Sequence, residues 1–229
     1  MIEKFQNWSY IRMLPIIEQK SVRSYLPRTN VYQNELLVAR TSPVVLDKSL
    51  WGQVHDPKYS DGYAKSTQIQ SYFSVCVYSL RRAGMISIAQ DQSLEKNISI
   101  EHSSTLRQSV SQSMRLEVIL EGSGFLEGGS VMGQLQSSFE LTQEKEYVTE
   151  DRRTTTTDIR YDSTGCDRDV VLWDVAKVIV LYRKLKEASG SPAEQMVGLT
   201  DYYFETYQKT YMVKDETLND EKESDEICG

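Results

Sequence analysis

A chain of 229 residues, 39% hydrophobic and with a mean hydropathy of −0.47, suits one elongated domain or two small ones with a real core. No stretch approaches the ~20 apolar residues of a transmembrane helix. Of the net charge of −7, −5 sits in the last sixteen residues, where two lysines face seven carboxylates. The near-neutral body carries no basic stripe, so no nucleic-acid partner is expected.

The first residues, acidic and aromatic, lack the basic and apolar regions of a secretory signal. Ile2, Phe5, Trp8 and Ile11 to Met13 point to a short helix ending near Pro15, and Val31 to Arg40 reads as an extended segment. Residues 1–45 are therefore expected to form an N-terminal arm. Arg12, Lys20, Arg23, Arg28 and Arg40 offer sites at which a protease could trim it as a pro-segment.

Residues 46–213 read mainly as strands. The run 67–80, TQIQSYFSVCVYSL, is β-branched and aromatic, and Arg81-Arg82-Ala83-Gly84 should break it before Ile86 and Ile88. Residues 170–183, VVLWDVAKVIVLYR, fit a central strand, with a buried helix as the alternative. After a loop at 184–192, residues 202–213 form a last aromatic strand. Residues 214–229 are too polar to pack and should be a flexible acidic tail. The fold class is mainly β.

The segment 98–121 separates by parity. Of its twelve even positions eight are apolar, among them Ile98, Ile100, Leu106 and Val110; of its odd positions only Ile119 is. Side chains alternate faces along a strand, so this is one long two-faced strand. The glycine-rich stretch 122–130 must turn. The chain then alternates with the opposite parity, more weakly, since Met132, Gln143, Lys145 and Val148 fall on the wrong sides. If Leu120 pairs with Val131, each even residue of the first arm faces an odd residue of the second, as Leu116 faces Leu135. Directly opposed residues share a face, so both apolar sides coincide. Residues 106–147 are thus read as one amphipathic hairpin.

A barrel strand in a bilayer needs ~9–11 residues, apolar outside and polar inside. Val110 to Leu120 and Val131 to Leu141 supply eleven each. The expected lipid-facing residues are Val110, Met114, Leu116, Val118 and Leu120 on the first arm, and Val131, Leu135, Phe139 and Leu141 on the second. Phe125 and Leu126 form the tip, either as a leading apolar edge or as an ordinary loop. Arg107, Arg115, Glu117, Glu121, Glu140, Glu144 and Glu146 would face the pore lumen, and their net negative charge favours cations. Backbone groups cannot stay unpaired in lipid, so several chains must close a homo-oligomeric ring on a target-cell membrane. The expected course is release without a recognisable signal peptide, a soluble phase, and then insertion.

At this point the sequence resembles the aerolysin-like β-pore-forming toxins, monalysin type, from about Trp51 to Met212. The likeness lies in the order of features: the tyrosine-rich strand, YSLRRAGMISIAQDQ leading into the serine-rich arm, the glycine-rich tip and SSFELTQ. The threonine-rich return RRTTTTD, VAKVIVLYRK and DYYFETY follow. The resemblance implies an elongated, twisted aerolysin-like β-sheet or β-sandwich with an insertion hairpin, ring assembly, and activation by trimming a terminal arm. It also implies an insecticidal, cytolytic role and, in some members, a second toxin component as partner. A non-lytic β-sandwich binding module, for carbohydrate or protein, is the competing expectation; the tyrosines at 202, 203, 207 and 211 would suit sugar stacking as well as sheet packing.

No enzyme is expected. His55 reads as part of a turn, His102 as an apolar-face residue and Cys166 as a residue in a polar turn, with no catalytic constellation among them. The glycines at the tip lack the lysine of a phosphate loop, and no cofactor is expected. Cys76, Cys166 and Cys228 have no metal spacing, so no metal is expected and reduced thiols are favoured.

Overall fold

The structure, a computed structural model, describes residues 2–17, 22–28, 35–59, 68–102, 130–141, 153–163, 165–186 and 190–213. Seven strands are described: β1 (Glu35–Arg40), β2 (Val44–Val45), β3 (Ile69–Ile88), β4 (Leu94–His102), β5 (Arg153–Tyr161), β6 (Arg168–Leu185) and β7 (Glu194–Met212). They are joined by helices α1 (Ile2–Gln6), α2 (Trp8–Ile11) and α3 (Val131–Ser138) and by 3-10 helices η1 (Val22–Tyr25) and η2 (Lys48–Gln53). The molecule is mainly β and antiparallel, as its β-branched runs require.

The main sheet runs β1-β3-β6-β7, with β2 also paired to β3. Its strands β3, β6 and β7 hold 20, 18 and 19 residues, against ~5–6 in an ordinary strand. β6 is central and buried on both faces, which explains its unbroken valine-isoleucine run. The expected break at residues 81–84 is instead a register shift between Arg82 and Gly84; β3 bends there and continues to Ile88. β7 starts at Glu194, eight residues ahead of the aromatic run, and residues 48–53 form η2 rather than a strand.

Alternation along β6 sorts the core by face. Ile179 and Leu181 join Tyr72, Cys76, Val197 and Tyr202 on one side, with Leu46, Val54 and the apolar side of α3 laid over them. Farther along the same face Trp173, Val175 and Leu80 are covered by Val22 and Leu26. On the opposite face Phe73, Val75, Val178, Val180 and Tyr182 are covered by Phe5 and Ile11 of the N-terminal arm. Trp8 packs its ring 5.0 Å from Phe73 and 5.3 Å from Tyr182, and the Tyr182 hydroxyl donates to the Phe5 carbonyl at 2.6 Å. Arg40 closes the arm's exit, donating to the carbonyls of Arg12 at 3.0 Å and Thr41 at 2.9 Å. Burial away from water lowers its pKa.

β4 and β5 form a separate two-stranded ribbon whose Ile100 and Ile159 pack on Ile88, Val170 and Leu172. The even positions Ile98 and Ile100 thus face the core, as the parity of the sequence requires. Cys76 is a buried thiol, but Cys166 is disulfide-bonded, which corrects the expectation of reduced thiols at that residue.

Candidate functional site

The ribbon opens toward residues 103–152, the excursion that carries the amphipathic pattern. Val110, Met114, Leu116, Val118, Leu120, Phe125 and Leu126 lie outside the described residues. So do Arg107, Arg115, Glu117, Glu121, Glu144 and Glu146. The return arm from Ser130 to Leu141 is described, and in this state it is not the expected strand.

Residues 131–138 are helical because the local chemistry favours it. Ser130 caps the N-terminus, its hydroxyl accepting from the Gly133 N–H at 2.9 Å. At the other end the Leu141 N–H donates to the Gln136 carbonyl at 2.9 Å and the Glu140 N–H to Ser137 at 3.4 Å. Those two bonds make a Schellman motif, with buried Leu141 beside buried Leu135. Glu140 occupies its left-handed position at φ 52°, where glycine is usual.

The apolar spacing is what allows both readings. Val131, Leu135 and Phe139 recur every four residues, so they line one face of a helix and one face of a strand alike. Here all three, with Leu141, are buried in the body against the β3–β6 face. Glu140 is exposed.

A clasp from residues 45–59 holds the helix in place. Gln134 donates to the Val45 carbonyl at 3.3 Å and accepts from the Asp47 N–H at 3.4 Å, while Gln53 accepts from the Val131 N–H at 3.1 Å. Asp47 caps η2, and its bonds from the Ser49 N–H and hydroxyl lower its carboxyl pKa. The clasp is itself anchored by Asp56, fully buried, which takes bonds from Arg183 at 2.5 Å, the Lys58 N–H at 3.0 Å and the Tyr72 hydroxyl at 3.1 Å. Arg183 also grips Gln195, through Nε at 3.0 Å and a terminal nitrogen at 2.8 Å. Burial, then the Asp56 carboxylate, raises the Tyr72 pKa.

None of the clasp residues was singled out from sequence. The one local signal is Asp47 two residues ahead of Ser49, a cap pattern; Asp56 and Arg183 are 127 residues apart and leave no trace in spacing. Among the described residues no helix is long and apolar enough to cross a membrane, and no group of three or more metal-ligating side chains gathers.

No family model matches the sequence, and a search of curated proteins found no match. Among solved structures the chain is similar to Cry35Ab1. The TM-score is 0.50 at 17% identity, over 86% of this chain and 52% of that one. The chain therefore spans about half the length of that protein. The likeness is one of fold: a mainly β, antiparallel architecture. It does not single out the monalysin type.

Proposed function

We propose that the protein is a pore former that assembles as a ring on a target membrane, each subunit contributing the 106–147 segment to a transmembrane β-barrel. The observation that carries this reading is the return arm. A strip of four buried apolar residues, three of them spaced equally well for helix and strand, is held against the body by a small number of side-chain hydrogen bonds, at the end of an excursion that starts from a two-stranded ribbon. Storing the apolar side in the core keeps it out of water until lipid can receive it. The ring, the membrane, cation preference and a second protein component belong to this proposal. So does trimming within residues 1–45, which would uncover Phe73 and Tyr182.

The burial of Val131, Leu135, Phe139 and Leu141 also favours a second reading, in which the strip never leaves the core and the protein is a non-lytic binding module, the targeting half of a pair. Dye release from liposomes, with and without brief trypsin treatment and with a Leu116→Arg variant, separates the two. Release that rises on trimming and disappears in the variant supports the pore. Folded, monomeric protein that releases no dye from any lipid mixture supports the binding module.

A further inference from the structure

Each face of the main sheet is covered in two pieces. On one face the core under α3, built on Ile179 and Leu181, is distinct from the core built on Trp173 and Val175. On the other, the core under Phe5 and Ile11 is distinct from the one that the ribbon makes with Val170 and Leu172. Both divisions fall at the same level of β6. Between Val170 and Tyr182 its only charged residues are Asp174 and Lys177, which are 7% and 6% exposed. Three residues apart on a strand, they point to opposite faces, one into each gap.

Asp174 belongs to a polar row that crosses the whole sheet. Glu35, Arg81, Asp174 and Thr206 lie directly opposite one another in register, on β1, β3, β6 and β7. Thr206 donates to the Asp174 carboxylate at 2.8 Å, and the Ser79 hydroxyl donates to Glu35 at 3.1 Å. On the opposite face Lys177 lies between Tyr78 and Tyr202. Among the described residues, half-buried Tyr78 is the one side chain packed against both cores there. The ladders are irregular at this level too. One extra residue of β3 falls between the partners of Trp173 and Leu172, and one of β7 between those of Val175 and Ala176.

We propose that this polar waist divides the sheet into two units, so that the ribbon end opens on its own while the half beneath α1, α2 and α3 stays closed. The ribbon unit comprises β4, β5 and residues 82–88, 168–173 and 207–212. Parting two apolar surfaces is opposed in proportion to the area that water then wets. Charged and hydroxyl groups instead regain water as a row opens, which offsets much of what they lose. The waist is therefore the line along which the sheet parts most easily, and the two bulges give the long strands a local bend there. A region that shares few apolar contacts with its neighbour opens at less than the global free energy. The division does not depend on the function proposed above, since it follows from the body of the molecule alone.

Native-state hydrogen exchange on the full chain, read by mass spectrometry at urea concentrations below the unfolding midpoint, tests this. Residues 84–88 and 168–173 should open together, ~10-fold or more above the opening of 73–77 and 178–182. Their opening should also depend less steeply on urea, because less surface is exposed. One opening constant on both sides of 174–177, or a boundary elsewhere along β6, overturns the proposal. Two variants then separate independence from placement. Val180→Ala, in the core under the arm, should speed exchange at 73–77 and 178–182 by ~10-fold or more and leave the ribbon unit at its wild-type rate. An equal change on both sides means that the units are not independent. Asp174→Asn weakens the row itself, so it should raise the opening of the ribbon unit about tenfold. An unchanged ribbon unit means that the row stays closed when the ribbon opens, and the division is not at the waist. The wild-type comparison decides the matter by itself where a variant fails to fold.

Discussion

Asp56 and Arg183 meet where neither can find water: their side chains are 0% and 8% exposed. The carboxylate has three donors and the guanidinium has Gln195 besides, so the desolvation of both charges is offset only while the whole set stays together. Removing one charge leaves the other buried alone. Asp56→Asn should therefore lower stability by about 3–5 kcal/mol, read as a shift in the urea midpoint. The double variant Asp56→Asn with Arg183→Gln should recover part of that loss, since the stranded cation is gone. Tyr72 bonds the second Asp56 oxygen, so losing the carboxylate also loosens the aromatic contact between Tyr72 and Trp51, 5.4 Å apart and edge to face.

At the scale of the element, α3 is held by caps and by the clasp more than by propensity, as Gly133 within an eight-residue helix suggests. Its weak point is Glu140. Replacing it with glycine removes the steric cost of the left-handed backbone, so Glu140→Gly should stabilise the folded protein by ~1 kcal/mol. Hydrogen exchange should slow across residues 131–141 and the urea midpoint should rise; an unchanged midpoint would mean that the backbone there carries no strain. Much of the element plan was legible beforehand. The β-branched run of β6 favoured a central strand over the alternative of a buried helix, and the strand is what forms; the even-numbered isoleucines of β4 face the core as their parity requires. The helix was not legible, because a spacing of four satisfies both periods and only the Ser130 cap and the Leu141 contact tip the balance. The start of β7 was missed for a different reason: residues 193–201, between the loop at 184–192 and the aromatic run, received no assignment, and Gln195 there is recruited by Arg183 from the neighbouring strand. The clasp was out of reach because its partners come from distant parts of the chain.

For the whole molecule, three of the buried phenols, on the two faces of the main sheet, are held away from ionisation. Tyr72 and Tyr211 belong to one side and Tyr182 to the other, and burial raises the pKa of all three. In the unfolded chain each ionises near pH 10. Below that both states hold the protons and the stabilisation is complete. Above it the unfolded chain releases protons that the folded one keeps, so stability falls steadily toward the raised folded values. Far-ultraviolet circular dichroism combined with phenolate absorbance should show the part of the phenolate signal that is lost in Tyr72→Phe, Tyr182→Phe and Tyr211→Phe variants appearing together with unfolding, above about pH 10. Ionisation that ran ahead of unfolding would place these hydroxyls in contact with solvent.

The hydrogen bond from Tyr182 to Phe5 joins residues 177 apart. Chains emerge from the ribosome N-terminus first, at ≈5–20 residues per second. The arm bearing Phe5, Trp8 and Ile11 is thus made on the order of ten seconds or more before the strand it must cover. Through that interval its apolar side chains have no seat, and the two long strands that build the seat must pair across distant sequence, a slow kind of folding. The arm can dock only once β3 and β6 have paired to form that seat. Whatever shields that arm during synthesis, a chaperone or a provisional contact within the nascent chain, acts before the finished protein has any surface for it.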